Sequence, residues 1–293
     1  MKRSIFKSRW LPYVLIAPQL IIVLIFFFWP AFDSLLLSFF KVAPFGDRQI
    51  FIGLENFCDL LVSPEYHRSV LNSFIFSGGV TLLGLSVSLL LALLANQKIR
   101  GLAFYRTAIL WTYGIAPPIA GVIWLFIFHP SYGFLSYLLS LVTAYEFNWL
   151  LKGWVAILLV IFAATWAHLG YNIAFFLAGL QTIPNSVMDA AKVDGASGFR
   201  LFRFITFPLL SPVTFFLFIM NMVFSFFETF GLIHAVTQGG PGDATTIMVY
   251  KAYVDGFVHL RLGFSAAQSV ILMALVIFLT VLQFRYTERK VFY

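Results

Sequence analysis

Long uncharged apolar runs constrain this chain more than any other feature of its sequence. Six such runs cover residues 11–32, 69–97, 107–145, 153–188, 204–227 and 262–284. A helix needs roughly 20 apolar residues to cross the hydrocarbon core of a bilayer. Because the runs are continuous rather than alternating, they predict helices and not the strands of a barrel. The chain is therefore expected to be an integral membrane protein.

The third run holds one span and a loop, because His129-Pro130-Ser131-Tyr132-Gly133 is a cluster of turn residues. We therefore predict an all-α, polytopic protein with six transmembrane helices. The predicted spans are about 11–32, 72–96, 104–128, 154–178, 208–232 and 264–285. The sequence shows no internal repeat, so residues 1–293 are expected to form a single transmembrane domain.

The basic residues are distributed in a way that predicts the topology. Only 11% of the chain is charged, against about 25% in soluble domains, and its net charge is +7. Thirteen of the nineteen Lys and Arg residues lie on one set of alternate loops, which the positive-inside rule places in the cytoplasm together with both termini. These thirteen are Lys2, Arg3, Lys7, Arg9, Lys98, Arg100, Arg106, Lys192, Arg200, Arg203, Arg285, Arg289 and Lys290. The basic excess is thus explained by topology, and no nucleic-acid partner is expected.

The motifs of several chemistries are missing from the sequence. It contains no Gly-Lys dipeptide and therefore no phosphate-binding loop of the Walker type. It contains no HExxH, GxSxG or CxxC motif, and its five histidines are scattered. We expect no catalytic residue, no metal and no cofactor bound by this chain.

Polar residues recur at helical spacing inside two predicted spans. His168 and Asn172 share one face of the fourth span, and Asn221, Ser225 and Glu228 share one face of the fifth. Because polar groups in lipid normally face the bundle interior or a cavity, these five residues are candidates for lining a translocation path. The alternative is that Asn221 and Ser225 bond neighbouring helices while Glu228 lies at the membrane interface.

Two further features concern helix packing. Gly84, Ser88 and Ala92 form a stripe of small residues on the second span, which predicts a close approach by another helix. Pro117-Pro118 removes backbone donors within the third span and must kink or break it.

One short segment, residues 185–208, carries charge between two apolar runs. Its sequence is NSVMDAAKVDGASGFRLFRFITFP. Asn185 or Ser186 is suited to cap a helix, and Gly195 to end it. Residues 199–207 alternate aromatic side chains with Arg200 and Arg203, which predicts an amphipathic helix at the membrane face. The segment is thus read as a compact helical element on the cytoplasmic surface, with a generic amphipathic loop as the alternative.

This segment resembles the EAA loop of binding-protein-dependent ABC importer permeases. That pattern is Glu-Ala-Ala, three residues, Gly, nine residues and Ile-x-Leu-Pro. The matching positions are Asp189, Ala190, Ala191, Asp194, Gly195, Ala196, Phe202, Ile205 and Pro208. Asp189 replaces the Glu and keeps its charge, and Phe207 replaces the Leu and keeps its apolar character.

The resemblance extends over nearly the whole chain. The first span, the Gly239-Gly240-Pro241 loop and the sequence GFSAA at 263–267 look like those of the carbohydrate-uptake (maltose-permease-like) family. More narrowly, SRWLPYVLIAPQLI at 8–21, VAPFG at 42–46 and the C-terminal sequence resemble the A-type permeases of sn-glycerol-3-phosphate importers.

The resemblance implies a function, a location and a set of partners. The chain would be a permease subunit in the cell inner membrane. It would form half of the path of an ATP-driven importer, and the substrate would be sn-glycerol-3-phosphate. Its partners would be a second, homologous permease, two ATP-binding subunits, an extracytoplasmic substrate-binding protein and the lipid bilayer. ATP and Mg would bind to the ATPase subunits, onto which the residues of the EAA-like segment would dock.

Other functions remain open from the sequence. The same role with a neutral sugar or oligosaccharide is one, because no Lys or Arg lies inside a span and Glu228 would repel a phosphate. A secondary transporter would need intramembrane coupling residues, for which His168 and Glu228 are the candidates. An intramembrane enzyme would need a catalytic pair at matching depth, and no such pair stands out.

Overall fold

The computed structural model describes residues 10–44, 48–97, 101–142 and 148–287, and these are almost entirely helical. Their contacts divide the chain into two compact units. One combines Met1–Val62 with Ala252–Ile271, and the other combines Ser63–Lys251 with Leu272–Tyr293. The prediction of a single transmembrane domain stays a prediction.

The first unit holds the longest exposed helix and a small hairpin. Its elements are α1, Leu11–Leu37; β1, Phe40–Val42; β2, Gln49–Phe51; and α2, Glu55–Val62. The two strands pair antiparallel with Lys41 opposite Ile50. This hairpin is an addition to the predicted all-α fold, because strands of three residues carry too little periodicity to be recognised. Asn56 on α2 ties the hairpin to the end of α1. The Asn56 Nδ2 donates to the carbonyl oxygens of Ser38 at 2.9 Å and Phe40 at 3.1 Å.

The second unit contains the remaining helices up to the start of the last span, except for Ala252 and Tyr253, which belong to the first unit. They are α3, Pro64–Ala95; α4, Leu102–Leu110; α5, Pro117–Phe128; α6, Phe134–Val142; α7, Gly153–Thr182; α8, Asn185–Val193; α9, Gly198–Leu201; α10, Ser211–Glu228; α11, Phe230–Val236; and α12, Met248–Tyr253. The last helix, α13, is Leu262–Thr287 and contributes residues to both units.

Among the described residues, five helices are long and apolar enough to cross a membrane, and a bent pair supplies a sixth span. The five are α1, α3, α7, α10 and α13. The bent pair is Arg106–Gly114 with Pro117–Phe128, at 109° to each other. The predicted fold class of a polytopic all-α protein is confirmed. Helix α3 begins at Pro64, earlier than the predicted 72, because Ser63 Oγ accepts a hydrogen bond from the Tyr66 backbone N–H and the charged first turns remain helical.

The break in the third span lies just before Pro117, as the double proline predicts. Ala116 is extended, with φ −62° and ψ 141°. A residue before a proline is disfavoured in the helical region, whereas a proline in the first turn of a helix gives up no needed donor. The prolines therefore start a new helix rather than kinking an old one.

The small-residue stripe on α3 packs as predicted. Gly84, Ser88 and Ala92 are all buried, and α3 lies along α7. Near the end of these helices, Ala92 joins Ile173 and Phe176 of α7 and Leu217 of α10 in an apolar core. The helices that flank the EAA-like segment are thus packed against each other through their side chains.

Gly170 on α7 allows the broken span to approach closely. A Cβ at this position would lie 2.9 Å from Thr112 Oγ1 and 3.0 Å from the carbonyl oxygen of Leu110. The segment before the break therefore rests directly on the α7 backbone.

We expect Gly170→Ala to destabilise the protein, because overpacking of a close contact costs typically about 1–3 kcal/mol. The measurement is the apparent thermal unfolding midpoint in detergent. Gly78→Ala is the matched control, since a Cβ at this other helical glycine meets no atom of the described chain within 4 Å. Equal midpoints for the two variants would contradict the packing argument.

Candidate functional site

The first helix of the EAA-like segment, α8, begins at Asn185 without the predicted side-chain cap. Pro184 precedes it in an extended conformation, and its carbonyl oxygen accepts from the Val187 N–H at 3.1 Å. No side chain of the described residues caps this helix. The capping prediction for Asn185 or Ser186 is therefore wrong, because the fixed φ of Pro184 places the helix start one residue earlier than a Ser or Asn cap would.

Gly195 ends α8, as predicted. Its φ is +81°, in the left-handed region. The Gly195 N–H donates to the Lys192 carbonyl at 3.0 Å, and the Ala196 N–H donates to the Ala191 carbonyl at 2.9 Å. This pair of bonds is the Schellman arrangement, in which two otherwise unpaired helix carbonyls are satisfied around a left-handed residue. The turn therefore depends on the backbone freedom of glycine.

The second helix of the segment runs from Gly198 to Leu209 with a π-helical turn over Phe202–Thr206. Phe199 and Phe204 are exposed, whereas Thr206 is buried. The prediction of an amphipathic helix over residues 199–207 is consistent with this arrangement. The fifth span begins at Ser211 rather than at Pro208, because the chain turns at Leu210, where ψ is −3°.

The predicted docking residues of this segment differ in exposure. Those that are exposed or partly exposed are Asp189, Ala190, Asp194, Gly195, Ala196, Phe202 and Pro208. Ala191 is buried and packs the helix onto the rest of the protein. Asp189 Oδ1 lies 3.2 Å from Lys192 Nζ, in an exposed ion pair of the kind that contributes little to stability. Asp189 is therefore held in place only weakly and is accessible to another protein. The docking role of these residues stays a prediction.

Two predicted path residues bond to each other instead of facing a cavity. Asn172 Nδ2 donates to Asn221 Oδ1 at 3.0 Å, and Asn221 Nδ2 donates to Asn172 Oδ1 at 2.8 Å. Asn221 Nδ2 also donates to the Leu217 carbonyl at 2.7 Å. Both side chains are fully buried. Gly84 leaves the space for this pair, because a Cβ there would lie 3.1 Å from Asn221 Oδ1.

Ser225 makes a similar contact between helices. Its hydroxyl lies 2.6 Å from that of Ser77 on α3, and it is buried. The geometry of Asn172, Asn221 and Ser225 thus matches the alternative in which these groups bond neighbouring helices. We refer to the Asn172–Asn221 pair below as the amide clamp.

His168 and Glu228 line a cavity of about 280 Å³. The His168 ring is stacked on Phe224 with centroids 4.0 Å apart, and on Tyr171 at 4.8 Å. His168 Nε2 is buried and has no hydrogen-bond partner among the described residues. The remaining lining residues are Tyr113, Ile115, Pro117, Ala167, Tyr171, Met220, Phe224.

The cavity is open because the third span is broken. Ile115 and Pro117 lie on either side of the break and form one wall. Tyr113 and Tyr171 were not predicted as site residues, although their rings are 5.7 Å apart and both face this space. Tyr171 follows His168 by three residues, so it lies on the same helix face, and this spacing is the signal that would have found it. Two phenols, one imidazole and one carboxylate can together bond a ligand rich in hydroxyl groups.

The fold and these sites define a polytopic membrane protein with an exposed helix–glycine–helix segment and a polar cavity among its spans. Comparison with known families is in accord with this class. The model of the family "Binding-protein-dependent transport system inner membrane component" matches residues 1–293, and the chain belongs to this family. It is therefore an inner-membrane protein of a transport system that works with a binding protein.

Several characterised relatives match the chain over its full length. It is 49% identical to the sn-glycerol-3-phosphate transport system permease protein UgpA of Rhizobium meliloti (strain 1021), covering 100% of both chains. The identity is 50% to UgpA of Agrobacterium fabrum (strain C58 / ATCC 33970), again over 100% of both. UgpA of Escherichia coli O157:H7 is 48% identical and is covered to 98%, with 99% of this chain aligned.

Solved structures share the fold. A chain of a bacterial ABC transporter involved in the import of the acidic polysaccharide alginate superposes with a TM-score of 0.81 at 23% identity, covering 95% of this chain and 96% of that one. The alginate transporter in complex with its alginate pentasaccharide-bound periplasmic protein gives the same TM-score at 21% identity, covering 96% and 94%.

We expect the amide clamp to behave as a coupled pair. Asn172→Ala and Asn221→Ala should each lower the unfolding midpoint, because each leaves a buried amide without its partner, at a cost of about 1–3 kcal/mol. The second substitution should cost less when the first is present, by the roughly 0.6 kcal/mol typical of hydrogen bonds between membrane helices. Strictly additive losses would contradict the pairing. Ser269→Ala is the control, because the exposed Ser269 hydroxyl bonds only within its own helix.

Proposed function

We propose that this chain is one of two permease subunits of an ATP-driven ABC importer and that the transported substrate is sn-glycerol-3-phosphate. The observation that carries the proposal is the exposed helix–Gly195–helix segment, with its Schellman turn and its accessible Asp189. The substrate is supported by the three relatives named above, which are 48–50% identical over 98–100% of their length.

The partners follow from this role. Two ATP-binding subunits would lie on the cytoplasmic side and would bind ATP and Mg, because this chain has no Walker motif. A second, homologous permease would complete the path, and an extracytoplasmic binding protein would deliver the substrate. The distribution of Lys and Arg supports a cytoplasmic location for both termini and for the docking segment.

The amide clamp would transmit a movement of the EAA-like segment to the helices that line the translocation path. The segment joins the end of α7 at Thr182 to the start of α10 at Ser211. Asn172 and Asn221 connect the same two helices, ten residues, or about 15 Å, beyond these ends. A displacement of the segment by an ATPase would therefore carry α7 and α10 together rather than shearing one past the other.

The cavity lies beyond the clamp as seen from the segment. His168 precedes Asn172 by one helical turn on α7, and Phe224 and Glu228 follow Asn221 on α10. The opposite wall belongs to the broken third span, which is not part of the clamped pair. A joint movement of α7 and α10 would therefore change the width of the cavity between them and the break.

The chemistry of the cavity suits the glycerol part of the substrate. The phenols of Tyr113 and Tyr171 can bond hydroxyl groups, and the Glu228 carboxylate can accept from them. The carboxylate repels a phosphate, so the phosphate would be stabilised outside this cavity. The same carboxylate favours a neutral sugar or oligosaccharide as the second candidate substrate. A secondary transporter is the third reading and would work without ATP.

We expect Gly195→Val to abolish transport while leaving membrane insertion intact. A left-handed backbone costs a side chain roughly 1–2 kcal/mol, and a β-branched residue suffers most. Gly195→Asn is the matched control and should retain transport, because Asn tolerates this conformation. No atom of the described chain lies within 4 Å of a Cβ at this position, so the two variants differ in backbone strain and not in clashes within the subunit. Equal transport by both variants would contradict the coupling role of the turn.

The substrate is tested by ATP hydrolysis of the assembled complex in liposomes. We expect strong stimulation by a binding protein loaded with sn-glycerol-3-phosphate and none by the unloaded form. If only a sugar-loaded binding protein stimulated ATP hydrolysis, the importer mechanism would stand and sn-glycerol-3-phosphate would be excluded as the substrate. Failure of any ATPase to co-purify with the chain would contradict the docking role.

A further inference from the structure

Helix α6, Phe134–Val142, has the reverse of the usual amphipathic pattern. Phe134, Tyr137, Leu138 and Leu141 occupy one face at the spacing i, i+3, i+4 and i+7, and they are 70%, 63%, 39% and 65% exposed. Ser136 lies on the opposite face and is buried. In a water-exposed helix the apolar face would be the one turned to the protein.

This helix is held against the end of α5 by polar bonds. The Phe128 carbonyl, the last of α5, accepts from Ser136 Oγ at 3.0 Å and from Trp149 Nε1 at 2.9 Å. A carbonyl at a helix C-terminus has no partner within its own helix, so these two side chains satisfy it. Their bonds fix α6 at the depth where the third span ends, with its apolar face directed away from the protein.

Apolar side chains are also exposed on the helices that precede and follow α6 in the chain. Phe126 on α5 is exposed and lies 6.1 Å, ring to ring, from Tyr132, which precedes α6. Trp154 and Leu158 in the first turns of α7 are exposed as well. These residues belong to helices long and apolar enough to cross the membrane, and we expect their exposed side chains to meet lipid.

The composition of this region also favours lipid. Residues 129–142 contain no Lys, Arg, Asp or Glu, so neither steering by a charged protein partner nor binding to anionic headgroups is expected. Tyr and other aromatic residues are typical of the membrane–water interface. An open groove of about 700 Å³ beside α6 is lined by the polar groups of Ser131, Ser140 and Asn148 and also by Phe134 and Tyr137. The apolar face of α6 therefore borders polar groups, as side chains at the membrane–water interface do.

We propose that α6 is an interfacial helix that lies in the membrane surface at the end of the third span, with Phe134, Tyr137, Leu138 and Leu141 inserted into lipid. It would brace the broken third span from the side of the bilayer, since Ser136 and Trp149 tie it to the α5 carbonyl terminus. The proposal rests on the membrane location of the chain and not on its substrate or its ATPase.

The test is a depth measurement by spin labelling. The full-length chain, with the subunits that co-purify with it, is placed in lipid nanodiscs after Cys58→Ser removes the exposed native thiol. Cysteines introduced by Tyr137→Cys, and separately by Leu141→Cys, carry the label. Val62→Cys is the control, because Val62 is an apolar position, 78% exposed, that lies between the charged residues Asp59 and Glu65 and outside the segment proposed to dock with the ATPase.

We expect the ratio of oxygen to water-soluble nickel accessibility to be severalfold higher at 137 and 141 than at 62. Nickel accessibility at 137 and 141 equal to that at 62 would place α6 in water and overturn the proposal. Low accessibility to both reagents would mean that another protein chain covers the helix, which would overturn it too. Two label positions on one face guard against a single variant that fails to fold, and ATP hydrolysis by the same samples reports on the proposed function separately.

Discussion

The amide clamp between Asn172 and Asn221 is the interaction on which the arrangement of the spans depends. Hydrocarbon offers no hydrogen bonds, so an amide placed in a span must find its partner in another helix. Here each side chain satisfies the other, and the close approach this needs is possible because Gly84 on α3 presents no Cβ to them. Three helices, α3, α7 and α10, therefore meet at one point that a larger residue at position 84 would disturb.

The cavity differs from the clamp in that its polar groups are not paired with one another. His168 Nε2 is without a partner among the described residues, although His168 is only one helical turn from the fully bonded Asn172. An unpaired buried group of this kind is costly unless water or a ligand reaches it. The break before Pro117 opens the cavity wall opposite the His168 ring, although Nε2 itself has almost no accessible surface. The amide clamp and the cavity are thus adjacent on the same two helices, α7 and α10.

Much of this could be predicted from the sequence, and the remainder depended on contacts between distant residues. The spans followed from composition, and Gly195 from the need for a left-handed residue where a charged helix ends. The break followed from Pro117-Pro118. The reciprocal pairing of Asn172 and Asn221 could not be predicted, because 49 residues separate them and one sequence does not show which face of one span meets another. Tyr113 was missed for the same reason, since it joins the site only through the bend. Helix α6 was predicted as part of a loop because its nine residues are too few to cross a membrane. Its apolar residues also face away from the protein, unlike those of an ordinary surface helix.

In the proposed docking role, the position of the clamp would carry a small movement of the segment to the cavity. Two helices joined only at a flexible loop can slide past each other, and a push on the loop is then lost in that sliding. A second connection at equal distance along both helices removes this freedom. The segment, the last ten residues of α7, the first ten of α10 and the clamp form a closed frame, with arms of about 15 Å each. The apolar core of Phe176, Leu180, Leu210 and Leu217 fills this frame. We therefore expect the frame to move as one body, so that the residues just beyond it, His168 on one arm and Phe224 and Glu228 on the other, would be the first to change their distance from the broken third span.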